Sequence, residues 1–599
     1  MPPGATVSDA GRRGTIDAAV MTLGWNQAGV YSRPAVRILA SWRRRPAPPP
    51  LVAARYLDHN VPASAVAGAA SVVRVVAENT GPALWRRAGA GGDTVALCAF
   101  LDGQIVASGS FLADSVGPGE TATVAVPLTW RAEPGPHRLK LDLMVTGRTF
   151  FSGEGTPPLE IAVTLRPAED TPTERLRPSL RHNEWFYSPG QGVYRTREGR
   201  PAYPLFGQDA RGCTIRDVDG REYVDLHMGW GCNLLGYADE RVTDAVARSL
   251  GSGGIASLVH RGEMEVSEAL CGWFGLGDQV LFGKNGSDVT TWAVRAARVA
   301  TGRKTVIYAG YHGWQDWNAA ALGFEATGIP GPPGPAYRFR YADLEGLERA
   351  AAQHGSDLAA IMIEPAVAYD GRDPDHDGHR AYLLAAQALA RRHGALFVLD
   401  EIFTGFRFKR RFAQTFFGLR PDLTCLGKAL ANGLALSALV GRGDLLRQTV
   451  GRVFYAPSNK GEACAFAAAR AALEIHRDTD VAAEVWAAGS ALRAGVDALS
   501  VERGLPSRLV GAPYRMYLGP FEGSLEQRVH ARTLVQQELA RHGVISHRGY
   551  AIVSRRHDGA AIERCLSAYA AALDAVRAAV DHGALHLLDI PDVPEEGPS

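Results

Sequence analysis

Phe397-Val398-Leu399-Asp400-Glu401 and, 28 residues beyond its aspartate, the lysine closing Pro421-Asp422-Leu423-Thr424-Cys425-Leu426-Gly427-Lys428 carry most of what this sequence says about its architecture. The apolar run reads as a buried parallel strand. Its aspartate falls at the carboxyl end, where open α/β sheets gather ligands. A buried carboxylate with nothing to serve would be costly. Lys428, pressed between Gly427 and the apolar Ala429-Leu430, suits an amine that forms a Schiff base, although Gly-Lys is also a common turn dipeptide and most of the 64 Lys and Arg residues must be solvated.

Two further segments give the pair company. Gln279-Val280-Leu281-Phe282-Gly283-Lys284-Asn285-Gly286-Ser287-Asp288 is a short apolar run that breaks into a glycine-rich turn ahead of the helical stretch Thr291–Arg298. Such a turn presents free backbone N–H groups and a hydroxyl to an anion. It is equally an ordinary helix entry capped by Ser287 or Asp288. Val306-Ile307-Tyr308-Ala309-Gly310-Tyr311-His312-Gly313-Trp314 then reads as a strand ending in an aromatic ring, placed either to stack on a flat heterocycle or to fill core. An acid at a strand end can keep a pyridinium nitrogen protonated, which makes pyridoxal phosphate (PLP) an electron sink.

From about Pro204 to Val576, roughly two thirds of the chain, the sequence resembles the class III aminotransferases of the fold type I PLP enzymes, most closely the glutamate-1-semialdehyde 2,1-aminomutase branch. The stretches that carry the resemblance are Ile215–Asp225, Gly286-Ser287-Asp288, Thr301–Lys304, Tyr311-His312-Gly313, Ile363-Glu364-Pro365, Leu399–Arg407 and the Lys428 block. The resemblance implies an α/β transferase with a large, mostly parallel sheet domain (about 245–500) and a small α+β domain (204–244 with 501–585). It implies Lys428 as the Schiff-base lysine and Asp400 as partner of the pyridine nitrogen. Cofactor contacts would come from Gly286, Ser287, Asp288, Tyr311, His312, Glu364, Ile402 and Ser458, the last reaching a neighbouring subunit and so implying a homodimer with shared active sites. Trp230 and Arg261 would lie at the substrate mouth, with a plain surface arginine as the other reading of Arg261. No metal is implied.

Ser458 stands where the family usually has Thr, Ala366 where Val is common, Ala431-Asn432-Gly433 where a glycine-rich run is usual, and Phe403 where Met or Gln is frequent. None of these removes the acid or the amine, but they leave the substrate open. The implied activity is amino transfer between an amino donor and a carbonyl substrate, in specialised or sugar-related metabolism. Intramolecular transfer of the aminomutase kind, PLP-dependent racemisation or decarboxylation, and a non-catalytic scaffold are the alternatives.

A chain of 599 residues with 46% hydrophobic content holds more than one core. Its net charge of +1 implies no nucleic-acid or membrane field. Seven scattered cysteines without CxxC or zinc spacing suggest reduced thiols, and no apolar run reaches membrane-spanning length, so a cytoplasmic location is expected. Residues 1–50 read as an extension ending in an Arg- and Pro-rich linker. Residues 51–167 change texture to short β runs (Ser71–Val76, Thr94–Leu101, Thr121–Val126, His137–Leu143, Leu159–Val163) punctuated by Pro-Gly turns. Through Asn79-Thr80-Gly81, Trp85, Pro118-Gly119 and Phe150-Phe151 this part resembles Ig-like β-sandwiches of bacterial polysaccharide-related proteins. That implies a binding or docking module for a carbohydrate or a protein, with Trp85 either a sugar platform or a core residue. Residues 168–203 read as linker and N-terminal arm, and 586–599 as a flexible tail.

Overall fold

The computed structural model describes residues 52–87, 94–112, 115–146, 148–167, 171–177, 179, 206–251, 253–319, 335–367, 377–408, 412–583 and 587–589. The extension 1–50 and most of the linker and tail lie outside these. The chain divides into two compact units, with the boundary just after residue 201.

The first unit is all β. Strands β1 (Ala54–His59), β3 (Ala70–Asn79) and β6 (Thr121–Thr129) form one antiparallel sheet. The second sheet runs in the order β2 (Ser64–Val66), β9 (Leu159–Arg166), β7 (Gly135–Val145), β4 (Val95–Leu101), β5 (Gln104–Phe111), with β8 (Thr149–Phe150) beside β7. Side chains alternate in the manner of a half-buried strand, so Leu139, Leu141, Leu143 and Val145 of β7 point inward onto Val73, Val75, Val124 and Val126 of the facing sheet. Trp85 is 0% exposed and packs edge-on against Phe151 at 5.5 Å, so it is a core residue and offers no face to a sugar. Trp130 is equally buried, its indole N–H donating to Ser71 Oγ at 2.7 Å.

The second unit opens with a meander, β10 (Gly207–Arg211), β11 (Thr214–Asp217) and β12 (Glu222–Asp225). Its hairpin turn is held by Asp217 Oδ1, which accepts from the N–H groups of Asp219 and Arg221. A seven-stranded sheet follows in the order β13 (Gln279–Gly283), β19 (Ser437–Gly441), β18 (Leu423–Leu426), β17 (Leu396–Asp400), β16 (Leu358–Ile363), β14 (Thr305–Ala309), β15 (Ala336–Arg338). β19 is antiparallel to both neighbours and the remaining pairs are parallel. β16 and β17 are buried along their whole length, as strands covered on both faces must be, which is why they read as unbroken apolar runs. Near the C-terminus β22 (Val544–Ile545) pairs in parallel with β12, joining segments about 320 residues apart in sequence, while β20 (Arg508–Ala512), β21 (Arg515–Gly519) and β23 (Tyr550–Ile552) form a small separate sheet. Among the described residues no helix is long and apolar enough to cross a membrane.

Candidate active site

The carboxyl ends of β14, β16, β17 and β18 converge, and each delivers one of the residues singled out from the sequence. β17 ends on Asp400, which is buried. One carboxylate oxygen accepts the backbone N–H of Ile402 at 3.0 Å and the other faces His312 Nδ1 at 2.7 Å. His312, beyond β14, is fully enclosed, with its Nε2 3.2 Å from the Ala309 carbonyl and its own carbonyl accepting from Thr290 Oγ1. The histidine thus holds the acid from behind. Tyr311, next to it, leaves 56% of its surface open, as a ring prepared to be covered would.

Gly286 and Ser287 begin the helix Gly286–Thr301, so their N–H groups are among those without an intrahelical partner. Asp288 acts on its own turn: its Oδ2 accepts from the N–H groups of Lys284 and Asn285. The structure gives this carboxylate a capping task at the helix entry. The surroundings leave no room for side-chain atoms at two glycines. A methyl on Gly286 would lie 2.7 Å from Ile402 Cδ1, and one on Gly313 2.5 Å from Ser287 Cβ. Ile402 therefore lies between the helix entry and Gly427, against which a methyl would also meet its Cγ2 at 3.3 Å.

Lys428 follows β18 in a left-handed conformation (φ 44°) that non-glycine residues adopt only where surrounding structure enforces it. Burial pushes its amine down to about 8, with the nearby Arg515 and Arg407 cations acting in the same direction against Cys232 and Glu364. Its Nζ lies 4.3 Å from the centre of the Phe403 ring. Asn432 secures this turn: its Oδ1 accepts from Leu235 N–H and its Nδ2 donates to the Gly236 carbonyl, both at 2.9 Å. The departure from a glycine-rich run here is thus a structural tie, in a left-handed position that asparagine tolerates.

Glu364, at the end of β16, is buried and forms an ion pair with Arg515 of β21. Arg515 was not legible from the sequence, being one arginine in an otherwise ordinary strand. Phe403, noted as a departure, is the hub: the guanidinium carbons of Arg515 and Arg407 lie 4.2 and 4.7 Å from its ring centre. Arg407 is fully buried and donates to the carbonyls of Phe403, Gly405 and Gly231. Trp230 belongs to an aromatic wall with His227 (4.5 Å), His547 (5.1 Å) and Tyr550 (6.0 Å). Burial drives His227 down to about 3, with His547 and Lys428 adding to the effect.

The structure does not bring Arg261 to this wall. Its side chain is 89% exposed at the start of the helix Arg261–Glu268 and pairs with Glu265 at 2.6 Å, the surface-arginine reading. Ser458 is exposed on the loop between Tyr455 and Ala463. Among the described residues no cluster of His, Cys, Asp and Glu is arranged to hold a metal.

These residues fit PLP. A buried acid at hydrogen-bonding depth, a crowded glycine helix entry for a phosphate, an open ring beside it and an amine poised near neutrality are its requirements. A family model described as "Aminotransferase class-III" matches residues 195–545. The chain is 32% identical over 353 residues to the 3-aminobutyryl-CoA aminotransferase of Cloacimonas acidaminovorans, covering 58% of this chain and 84% of the relative. It is 34% identical over 319 residues to the glutamate-1-semialdehyde 2,1-aminomutase of Thermomicrobium roseum (51% and 74%) and 32% identical over 386 residues to the 2'-deamino-2'-hydroxyneamine transaminase of Streptomyces kanamyceticus (62% and 91%). Among solved structures, the PLP-bound FumI protein of Sphingopyxis sp. MTA144 superposes with a TM-score of 0.60 at 28% identity, over 68% of this chain and 97% of that one. With the family model spanning more than half of the sequence and the acid, amine and helix entry assembled at one sheet edge, the chain belongs to the class III aminotransferases, enzymes that depend on PLP.

Proposed function

We propose that the chain moves an amino group between a separate amino donor and carbonyl acceptor, with Lys428 as Schiff-base lysine and proton carrier. The observation that carries this reading is the convergence of Lys428, its amine lowered to about 8, with the buried Asp400 at neighbouring strand ends. PLP, when bound, supplies a conjugated ring that accepts the electron pair left when the substrate's C–H bond is broken. Asp400 stabilises positive charge on the ring nitrogen, and His312 orients Asp400. The N–H groups of Gly286 and Ser287, with the Ser287 hydroxyl, would receive the phosphate. Tyr311 and Ile402 would pack against the ring. Lys428, neutral in part near pH 8, would take up the proton of the substrate carbon at its amine and give it back.

The acceptor in this reading is a compound of specialised metabolism, supported by the similarity to a transaminase named for an aminoglycoside precursor. Intramolecular transfer is the second reading, supported by relatives named as aminomutases. Incubating the PLP-loaded chain with a panel of amines and following conversion to the pyridoxamine form separates them. Release of a carbonyl product with stoichiometric pyridoxamine phosphate supports the first, product that never leaves the enzyme supports the second, and no conversion with any amine sinks both.

A homodimer belongs to the same proposal. Ala463 N–H donates to the Gly254 carbonyl, which lays the segment bearing exposed Leu258 (83%), Val259 and Met264 beside the loop bearing Phe454 (84%) and Ser458. A second copy covering these apolar side chains would bring Ser458 toward its neighbour's phosphate site. Light scattering that gives a monomer mass at micromolar concentration would refute it. The seven cysteines form no disulfides, which suits a reducing cytoplasm.

A further inference from the structure

β12 ends on Asp225, and the chain passes from it directly into the left-handed turn Met228–Gly231, whose four φ values run from 50° to 72°. Asp225 is buried with both carboxylate oxygens engaged. Oδ1 accepts the backbone N–H of His227 at 2.7 Å, and Oδ2 accepts that of Met228 at 3.0 Å and the Tyr237 hydroxyl at 2.5 Å. An aspartate that bonds the backbone two and three residues ahead dictates how the chain turns there. Leu226, just before the turn, is stitched on both sides: its N–H donates to the Ile545 carbonyl of β22, and its carbonyl accepts from Ile552 of β23. Beyond the turn, Asn432 holds Leu235 and Gly236. The turn is thus strung between two fixed ends, and it presents the Trp230 ring to His227, His547 and Tyr550. Left-handed backbone is unfavourable at Met228 and Trp230, so the turn relaxes once its ties go.

We infer that Asp225 is a positioning residue for substrate: its ionised carboxylate fixes the Met228–Gly231 turn and thereby sets the Trp230 ring against the molecule that Lys428 engages. The inference deepens the amino-transfer reading and rests on it. Burial pushes the Asp225 carboxyl up to about 6, while Tyr237 and the two N–H groups pull the other way. The titratable groups packed around it are the Tyr237 hydroxyl, the Cys213 thiol, raised to about 11, and the His227 and His557 rings, lowered by burial to about 3 and about 4. Asp558 and Arg564 act on the same thiol, Lys428 acts on His227, and His547, across the Trp230 ring, is likewise lowered to about 4. Near pH 6 the Asp225 carboxyl is therefore the member of this cluster that changes charge. Its protonation weakens an acceptor that serves two N–H groups, so the turn loosens and substrate binding weakens as pH falls through about 6.

Fluorine NMR of the PLP-loaded chain carrying fluorotryptophan reads the turn without turnover, and Trp230→Phe identifies the Trp230 signal among the 11 tryptophans. That signal should shift with a midpoint near pH 6, and the midpoint should rise in Tyr237→Phe, which takes away a hydrogen bond that favours the charged form. A signal that does not titrate, or a midpoint that Tyr237→Phe leaves in place, overturns the inference even where an Asp225 variant does not fold. In steady state Asp225→Asn, which keeps the shape and removes the charge, should raise KM for the amino donor roughly 10-fold with kcat within about twofold. In a Trp230→Gly background, where the strain at that position and the ring are both gone, the same change should leave KM nearly constant. Equal KM increases in both backgrounds, or none in either, overturn the inference. Failure of wild type to convert any amine overturns the amino-transfer reading instead, and the fluorine titration still decides whether Asp225 sets Trp230.

Discussion

His312 Nδ1 lies 2.7 Å from Asp400 Oδ2, and both side chains are closed off from solvent. With the remaining oxygen accepting from Ile402 N–H, the carboxylate has no rotational freedom. Asp400→Asn keeps the shape and removes the charge, so it should lower kcat by about 100-fold or more while the protein still binds PLP. His312→Gln should cost about 10- to 100-fold, the worth of a hydrogen bond to a charged group. Stopped-flow half-reaction rates with absorbance spectra of the bound cofactor check both. A His312 variant as slow as the Asp400 variant would mean that the histidine does more than orient.

Lys428 gives a pH dependence with a defined sign. Its folded-state value of about 8 lies below the ordinary 10.5, so between these pH values the unfolded chain carries a proton that the folded chain has shed. Stability of the PLP-free protein therefore rises with pH across this window and carries the full burial cost below about pH 8. Lys428→Met removes that cost, and should stabilise the PLP-free chain at pH 7 by roughly 1–3 kcal/mol while abolishing turnover. Denaturant unfolding at pH 7 and pH 10 checks it: the gain should shrink at the higher pH.

Crowding at the helix entry is testable by a pair of changes. Gly286→Ala would place a methyl 2.7 Å from Ile402 Cδ1, forcing apart the helix entry and the loop after β17, between which the phosphate is proposed to sit. We expect PLP affinity to fall and stability to drop by about 1–3 kcal/mol. Because the atom struck is Cδ1, which valine lacks, Ile402→Val should restore part of both losses. Fluorescence titration with PLP and thermal unfolding of the two single variants and the double variant decide it. No recovery in the double variant would place the conflict elsewhere.

Legibility of the site followed the range of the signal. Asp400, Lys428, the Gly286-Ser287 entry and Tyr311 stand at strand or helix ends, where local sequence shows both the element and its break. Arg515 and Tyr550 come from a small sheet assembled after the main one, so nothing local ties them to Glu364 or Trp230. Arg261 turns outward to Glu265, a direction that helix position alone does not give for a long side chain. In the first unit, β3, β4, β6, β7 and β9 matched apolar runs, whereas β1 has no fully buried residue and β8 is only two residues long, so neither leaves a hydrophobic imprint.

Met228, Gly229, Trp230 and Gly231 take φ values of 50°, 61°, 55° and 72°, a complete left-handed turn in which two members are not glycine. Each such non-glycine residue costs about 1–2 kcal/mol, so this turn persists only because its surroundings hold it. Those surroundings are the aromatic wall: Gly231 offers its carbonyl to Arg407, and Trp230 packs on His547 and Tyr550. Trp230→Gly relieves backbone strain while deleting the ring contacts. Stability should change by less than about 1 kcal/mol, and KM should rise with kcat nearly constant. Gly231→Ala does the reverse, setting a methyl 2.9 Å from Phe403 Cζ and 3.0 Å from Arg407 Nη2 in a left-handed position. It should destabilise by about 2 kcal/mol or more and lower kcat, because Phe403 is the ring on which Lys428 and Arg515 are aligned. Steady-state kinetics beside thermal unfolding distinguish the two, and a Trp230→Gly variant with unchanged KM for every substrate would remove Trp230 from the wall.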